Sequence, residues 1–205
     1  MDRSRLESFS DGVFAVAITL LALDLALAGP GHGNGSLAHQ LGDKWPAFVA
    51  YVISFFTIGI IWVNHHATMS NVRVVTRPLL YINLVLLLVV VAIPFATSTM
   101  ADYLIKGDWD AHVAAALYAG VFEAMGLAFA GVFEWILRHD DALHQPMPAA
   151  AKNGARWHFY GGQIFYVIAI AVAFVSAPAS LAITGLVAVY YVFQRSWSTS
   201  RTGAG

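Results

Sequence analysis

From Pro78 to Ala101 the chain carries no charged residue, and Asn83 is its only amide. A helix of about 20 apolar residues spans the hydrocarbon core of a bilayer. Similar stretches run approximately from Gly12 to Ala28, Trp45 to Trp62, His112 to Leu137, Trp157 to Ser176 and Pro178 to Phe193. In hydrocarbon each backbone polar group must find its partner within the spanning structure, which favours helices for such runs. The expectation is an all-α integral membrane protein with six transmembrane helices. The fifth and sixth are separated only by a turn around Ala177-Pro178, so they form an antiparallel hairpin.

The polar surface of a soluble domain is missing. Charged residues make up 11% of the chain, less than half of the roughly 25% usual in soluble domains. Aromatic residues make up 13%, which excludes intrinsic disorder. The absence of cysteine excludes disulfide frameworks, thiolate zinc sites and cysteine nucleophiles. A net charge of −1 excludes a broad basic surface for nucleic acid. The spans use up residues 1–195 as one domain, and the Ser/Thr/Gly-rich tail 196–205 is expected to be disordered.

Lysines and arginines set the orientation. With the N-terminus cytoplasmic, the inner side holds Arg3, Arg5, Arg73, Arg77, Arg138, Lys152, Arg156, Arg195 and Arg201, and the outer side only Lys44 and Lys106. Both termini are then cytoplasmic. The inner loop from Arg138 to Arg156 is mixed in charge and Pro/Ala-rich, so it reads as a linker. Arg3 and Arg5, followed by an apolar run and Ala26-Leu27-Ala28, imitate a cleavable signal peptide. Glu7, Asp11 and Asp24 argue against that reading, because signal peptides avoid acids in these positions.

Ionisable groups within the spans are costly and need a partner or a purpose. The first helix opens Arg5-Leu6-Glu7-Ser8-Phe9-Ser10-Asp11-Gly12, and the second ends Trp62-Val63-Asn64-His65-His66. Adjacent spans are antiparallel, so these stretches can meet at the cytoplasmic side. They suit a structural latch, with Asp11 and Ser10 accepting from a histidine and Arg5 satisfying a carboxylate, or else a proton relay. A metal site is disfavoured: His65 and His66 point about 100° apart on a helix, and no second ligand box exists. Glu134 reads as a solvated boundary residue. Glu123 lies deeper, where it needs a polar partner such as Asn83 or a proton.

At 100° per residue, Gly12, Val16, Thr19, Leu20, Leu23 and Leu27 fall in one stripe. Ala15, Ala22 and Ala26 flank it on one side and Ala17 on the other, and small residues let helices approach closely. Such a stripe suits packing, or crowding around an axis. Asp24, near the outer end, is either an interfacial acid or part of a carboxylate ring that attracts cations.

These residues also carry a family resemblance. Arg5-x-x-x-Phe9-Ser10-Asp11, continuing Gly12-Val13-Phe14-Ala15-Val16-Ala17-Ile18-Thr19-Leu20-Leu21, resembles the signature of the lysosomal potassium channel family in its prokaryotic branch. Trp45-Pro46, Tyr51-Val52-Ile53-Ser54-Phe55 and Trp62-x-Asn64-His65-His66 match its second helix, and Asn83-Leu84 and Pro94-Phe95 its third. In the second half only the helix count agrees. The resemblance implies a homotetrameric, multi-pass cation channel of a prokaryotic cell membrane, without a T-V-G-Y-G filter and with the first helix of each subunit lining a central pore. It puts a hydrophobic gate at Val16, Leu20 and Leu23, and a selectivity hydroxyl at Thr19. It makes Arg5, Phe9, Ser10, Asp11, Trp62, Asn64, His65 and His66 a packing hub. It implies no cofactor beyond permeant potassium, with other monovalent cations as further passengers, and no enzymatic activity.

Two other classes compete. A proton-coupled transporter would use Asp11, Glu123 and the histidines as proton carriers, but the duplicated broken helices of such proteins are missing. A membrane-embedded metal enzyme would need the second ligand box that the sequence lacks.

Overall fold

The computed structural model describes residues 3–26, 36–146 and 148–193. Helix α1 spans Arg3–Leu20 and tightens into a 3-10 turn, Leu21–Leu25. A short α2, Leu37–Asp43, precedes α3, Trp45–Met69, and α4, Arg77–Tyr103. Helix α5 is Trp109–Arg138, α6 is Ala149–Ala173 and α7 is Ala177–Phe193. The tail 196–205 and Leu27 lie outside the described residues.

Local sequence sets the boundaries. Pro46 and Pro78 stand in the first turns of α3 and α4, where the absent N–H has no intrahelical partner to lose. The Asp108 carboxylate caps α5 by accepting from the Ala111 N–H at 3.3 Å. Just before it, Gly107 turns the chain with φ of 67°, a conformation glycine adopts without steric cost. The Ser176 hydroxyl accepts from Ala179 N at 3.3 Å and opens α7, so the hairpin expected around Ala177 turns over Phe174–Ser176.

Four described segments are long and apolar enough to cross a bilayer: Arg3–Leu23, Trp45–Met69, Arg77–Lys106 and Trp109–Arg138. The fifth and sixth apolar runs are helical too, as parts of α6 and α7. The 17-residue α7 is shorter than a full span, and α6 begins with Lys152, Asn153 and Arg156 in its first turns.

Helix α5 is the centre of the subunit, packing against α4, α6 and α7. Half of its most apolar stretch is buried, against 28% for that of α1. The core around it contains Ile58, Leu86, Val90, Ile93, Tyr118, Phe122, Met125 and Tyr166. One cluster of polar groups inside this core is paired. The Ser54 hydroxyl lies 2.8 Å from that of Thr97 and 2.9 Å from that of Tyr118, which joins α3, α4 and α5. Thr97 also bonds the Ile93 carbonyl at 2.8 Å, next to Pro94, which interrupts the helical ladder of α4.

Two expectations need correction. The segment after Arg138 is built structure and not a plain linker. Residues 140–142 form a 3-10 turn, Leu143 bridges Val72, and Ala142 and Leu143 are buried. Arg73 donates to the Asp141 carbonyl at 2.8 Å, and Lys152 to the Asp140 carboxylate at 2.7 Å. Glu134 is not left to solvent either. Arg156 holds it with two bonds of 2.6 and 2.8 Å, a fork-to-carboxylate geometry that fixes both partners. The signal missed was spacing across the loop: basic residues on α6 stand opposite an acid on the last turns of α5.

Candidate functional site

Helix α1 has two faces. Leu6, Ser10, Phe14 and Ala17 are buried against the bundle, as is Leu21 in the following turn. The opposite face carries Phe9, Gly12, Val16, Thr19, Leu20 and Leu23, all exposed in the single subunit. Val16 is 56%, Leu20 39% and Leu23 69% exposed, far above what a core helix tolerates for such side chains. Exposed aliphatic side chains also occur on other helices, as at Leu88 (72%) and Leu186 (67%), where lipid suits them. The stripe on α1 has a surface compatible with lipid, a subunit contact or a lined passage. Leu23 lies in the 3-10 turn, so the α-helical wheel does not extend to it unchanged, yet it remains on an exposed surface.

The Thr19 hydroxyl donates to the Val16 carbonyl at 2.8 Å. Its one hydrogen is therefore engaged by backbone, and the oxygen keeps lone pairs for another partner. Gly12 has open space where a Cβ would stand, so close packing within the subunit does not require glycine there. The side chain of Asp24 lies outside the described residues.

Behind this face, a polar network fixes the rotation of α1. Asn83 of α4 donates its amide N–H to the Ser10 hydroxyl at 3.0 Å, and its carbonyl oxygen lies 2.7 Å from His65 Nε2. Ser10 and Asn83 are 0% exposed and His65 is 1%. Because the Asn83 carbonyl accepts, His65 Nε2 carries the hydrogen and donates. The His65 ring also packs on Phe14, with centroids 5.5 Å apart. Nearer the surface, Trp62 Nε1 donates to the Asp11 carboxylate at 2.8 Å. Three helices are thus joined through side chains alone. Arg3 adds a fourth tie, donating to the Ser70 carbonyl at 2.7 Å.

The structure brings together Ser10, Asp11, Trp62 and His65. It does not bring Arg5, Phe9, Asn64 or His66 into hydrogen bonds of that network within the subunit; Arg5, Phe9 and His66 are exposed, and Asn64 is half-buried. His65 bonds Asn83 instead of Asp11 or Ser10 directly. Asn83 is engaged there and is not the partner of Glu123. Its signal in the sequence was its isolation, as the lone amide in the most apolar helix. No group of three or more His, Asp or Glu suited to a metal ion occurs among the described residues.

Residues 5–94, which contain most of α1, all of α3, most of α4 and the Ser10, Asp11, Trp62, His65 and Asn83 side chains, match the family described as endosomal/lysosomal potassium channel TMEM175. A potassium channel of Streptomyces collinus is 46% identical over 195 residues, covering 95% of this chain and 93% of that protein. The chain belongs to the TMEM175 family. A TMEM175 homologue from Chamaesiphon minutus, described as a lysosomal potassium-selective channel homologue, has a crystal structure that superposes with a TM-score of 0.81 at 32% identity. The match covers 93% of this chain and 96% of that one. The endosomal/lysosomal proton channel TMEM175 of Bos taurus is 36% identical over 103 residues, 47% of this chain and 22% of that protein. TMEM175 membership agrees with the apolar helices, and the chain is a multi-pass membrane protein of an ion-channel family.

Proposed function

We propose that the chain is a potassium-permeable cation channel of low to moderate selectivity. The observation that carries this reading is the exposed stripe of α1, held outward by a buried network on its opposite side in a TMEM175 protein. Four subunits surround one pore, and each contributes its α1. The six apolar runs cross the cell membrane of a prokaryote, with α6 and α7 as the last pair. Both termini are cytoplasmic, and residues 1–195 act as one channel domain.

The mechanism follows from the chemistry of the stripe. Rings of Val16, Leu20 and Leu23 around a narrow axis exclude water when closed, because aliphatic walls offer no hydrogen bonds to a water column. Opening tilts or rotates α1 until a partly hydrated ion passes. Valine is smaller than leucine, so the Leu20 ring is the narrowest point. Potassium sheds hydration water at lower cost than sodium, and Thr19 oxygens replace part of the lost shell. Their hydrogens already point to backbone, so the lone pairs are free for a cation. Carboxylates at Asp24 raise the local cation concentration at the outer mouth. No cofactor takes part.

The test is a flux assay on the full chain in liposomes, under opposed potassium and sodium gradients. Potassium should lead sodium by a modest factor, with unitary currents in a planar bilayer, and Leu20→Ala should raise the flux. Saturating, proton-driven uptake without unitary currents would instead indicate a transporter.

A further inference from the structure

Where α5 ends and α6 begins, opposite charges meet in unequal number. Arg156 of α6 spends its Nε and one amino group on the two oxygens of Glu134, at 2.6 and 2.8 Å. Lys152 is spent on the Asp140 carboxylate and the Leu137 carbonyl, at 2.7 and 2.8 Å. Arg138 reaches the same Glu134 carboxylate only once, at 3.5 Å, and 72% of its side chain is exposed. Three cations, Arg138, Arg156 and Lys152, thus meet two carboxylates, Glu134 and Asp140. Arg73, which donates to the Asp141 carbonyl at 2.8 Å, brings one further pair of opposite charges. The unmatched positive charge falls on Arg138.

Beside this charge runs an apolar surface as long as one leaflet of a bilayer. Trp157 is 83% exposed, and Ile164 and Ile168, seven and eleven residues on along the same face of α6, are exposed as well. At 1.5 Å per residue the stripe from Trp157 to Ile168 is about 17 Å long. Half of a hydrocarbon core is about 15 Å thick. Trp157 is a surface neighbour of Tyr160, three residues on, whose hydroxyl donates to Glu134 at 3.4 Å. Indole and phenol rings favour the headgroup level. The excess cation stands at that same level: Arg138 closes the spanning segment Trp109–Arg138, and Glu134 ties it to Arg156, the residue before Trp157. A ligand with an anionic head and an apolar tail about one leaflet long matches both features, whereas a free anion leaves the stripe unused. The planar fork of arginine suits a phosphate in particular.

We propose that Arg138, Arg156 and Trp157 form a binding site for an anionic phospholipid, with its phosphate on Arg138 and an acyl chain along Trp157, Ile164 and Ile168. Arg156 stays on Glu134 and holds the ends of α5 and α6 together, so Arg138 is the group that takes the phosphate. The site rests on α6 crossing the bilayer, as proposed above. It is separate from the stripe on α1 and stands whether or not that stripe lines a pore.

Tryptophan quenching by brominated lipids tests this on the full chain, in vesicles of equal parts phosphatidylglycerol and phosphatidylcholine with one of the two brominated along its acyl chains. The difference between wild type and Trp157→Phe isolates the Trp157 signal. Phosphatidylglycerol should be enriched beside Trp157 about fivefold over phosphatidylcholine, the factor that one arginine contributes at a bilayer surface. Arg138→Gln, which leaves the Arg156–Glu134 bonds in place, should bring the ratio close to one. Equal quenching by the two lipids, or an unchanged ratio in Arg138→Gln, overturns the headgroup site while leaving α6 in lipid. No Trp157 quenching by either lipid overturns the site together with the placement of α6 on which it rests. Loss of the ratio on adding millimolar inorganic phosphate assigns the charge to a free anion and overturns it too. If Arg138→Gln does not fold, wild type in raised salt decides the point: the ratio should fall as the charge is screened, and an unchanged ratio refutes the site.

Discussion

Replacing Asn83 with leucine keeps the volume of the side chain close to native but removes both arms of the bridge between α1 and α3. The bonds lost are those to His65 at 2.7 Å and to Ser10 at 3.0 Å. Both partners are essentially sealed from water, so neither is rehydrated in the variant. Interhelical hydrogen bonds within bilayers average about 0.6 kcal/mol and reach about 1.7 kcal/mol. An orphaned buried partner adds about 1–3 kcal/mol where no substitute exists. The upper part of the first range fits this site, and the expected loss for Asn83→Leu is about 2 kcal/mol, a factor of about 30 in the folded ratio. Trp62→Phe is the control: it removes one bond at a 41% exposed indole and should cost about 0.5 kcal/mol or less. Equilibrium unfolding in mixed micelles measures both. A double-mutant cycle with His65→Phe should return a coupling of about 1 kcal/mol for the His65–Asn83 pair. Equal stability of Asn83→Leu and wild type, or zero coupling in the cycle, would refute the claim that this network holds α1 in its rotation.

Other outcomes follow from the same geometry. Thr19→Val should preserve the shape of the stripe while lowering the potassium-to-sodium flux ratio, measured by reversal potential. Gly162→Ala should destabilise the α6–α7 pair by about 1–3 kcal/mol through overpacking, because the added Cβ meets the Tyr191 ring; thermal unfolding reads this directly. Gly12→Ala meets nothing within the subunit and should leave subunit stability unchanged or raise it by up to about 1 kcal/mol through helix propensity.

Much of this was legible in the residues, and the reasons differ by region. Apolar length announced the four segments long enough to cross a bilayer, since the bilayer sets a fixed requirement on each helix. The period of Gly12, Val16, Thr19 and Leu20 picked out one side of α1, because side chains three and four apart share a face. What the period does not encode is which of two possible faces turns inward; Ser10 and Phe14 are buried because α3 and α4 supply His65 and Asn83 to meet them. The pairing of His65 with Asn83 was hidden for the same reason, as it depends on the relative heights of two helices. Local composition misdescribed the segment after Arg138, where Pro and Ala suggested a linker but Leu143 reaches back to Val72. The short helix α2 went unread because it falls within a Gly/His-rich loop and buries no side chain.

The central claim is that the exposed face of α1 lines the ion pathway. The chain contains no cysteine, so single cysteines can be introduced on a silent background. Thiol-reactive cations should block flux through Val16→Cys, Thr19→Cys and Leu20→Cys in liposomes, and should leave Ala17→Cys, on the buried face, untouched. Block at Ala17→Cys with none at the other three would contradict the account and place the pathway elsewhere.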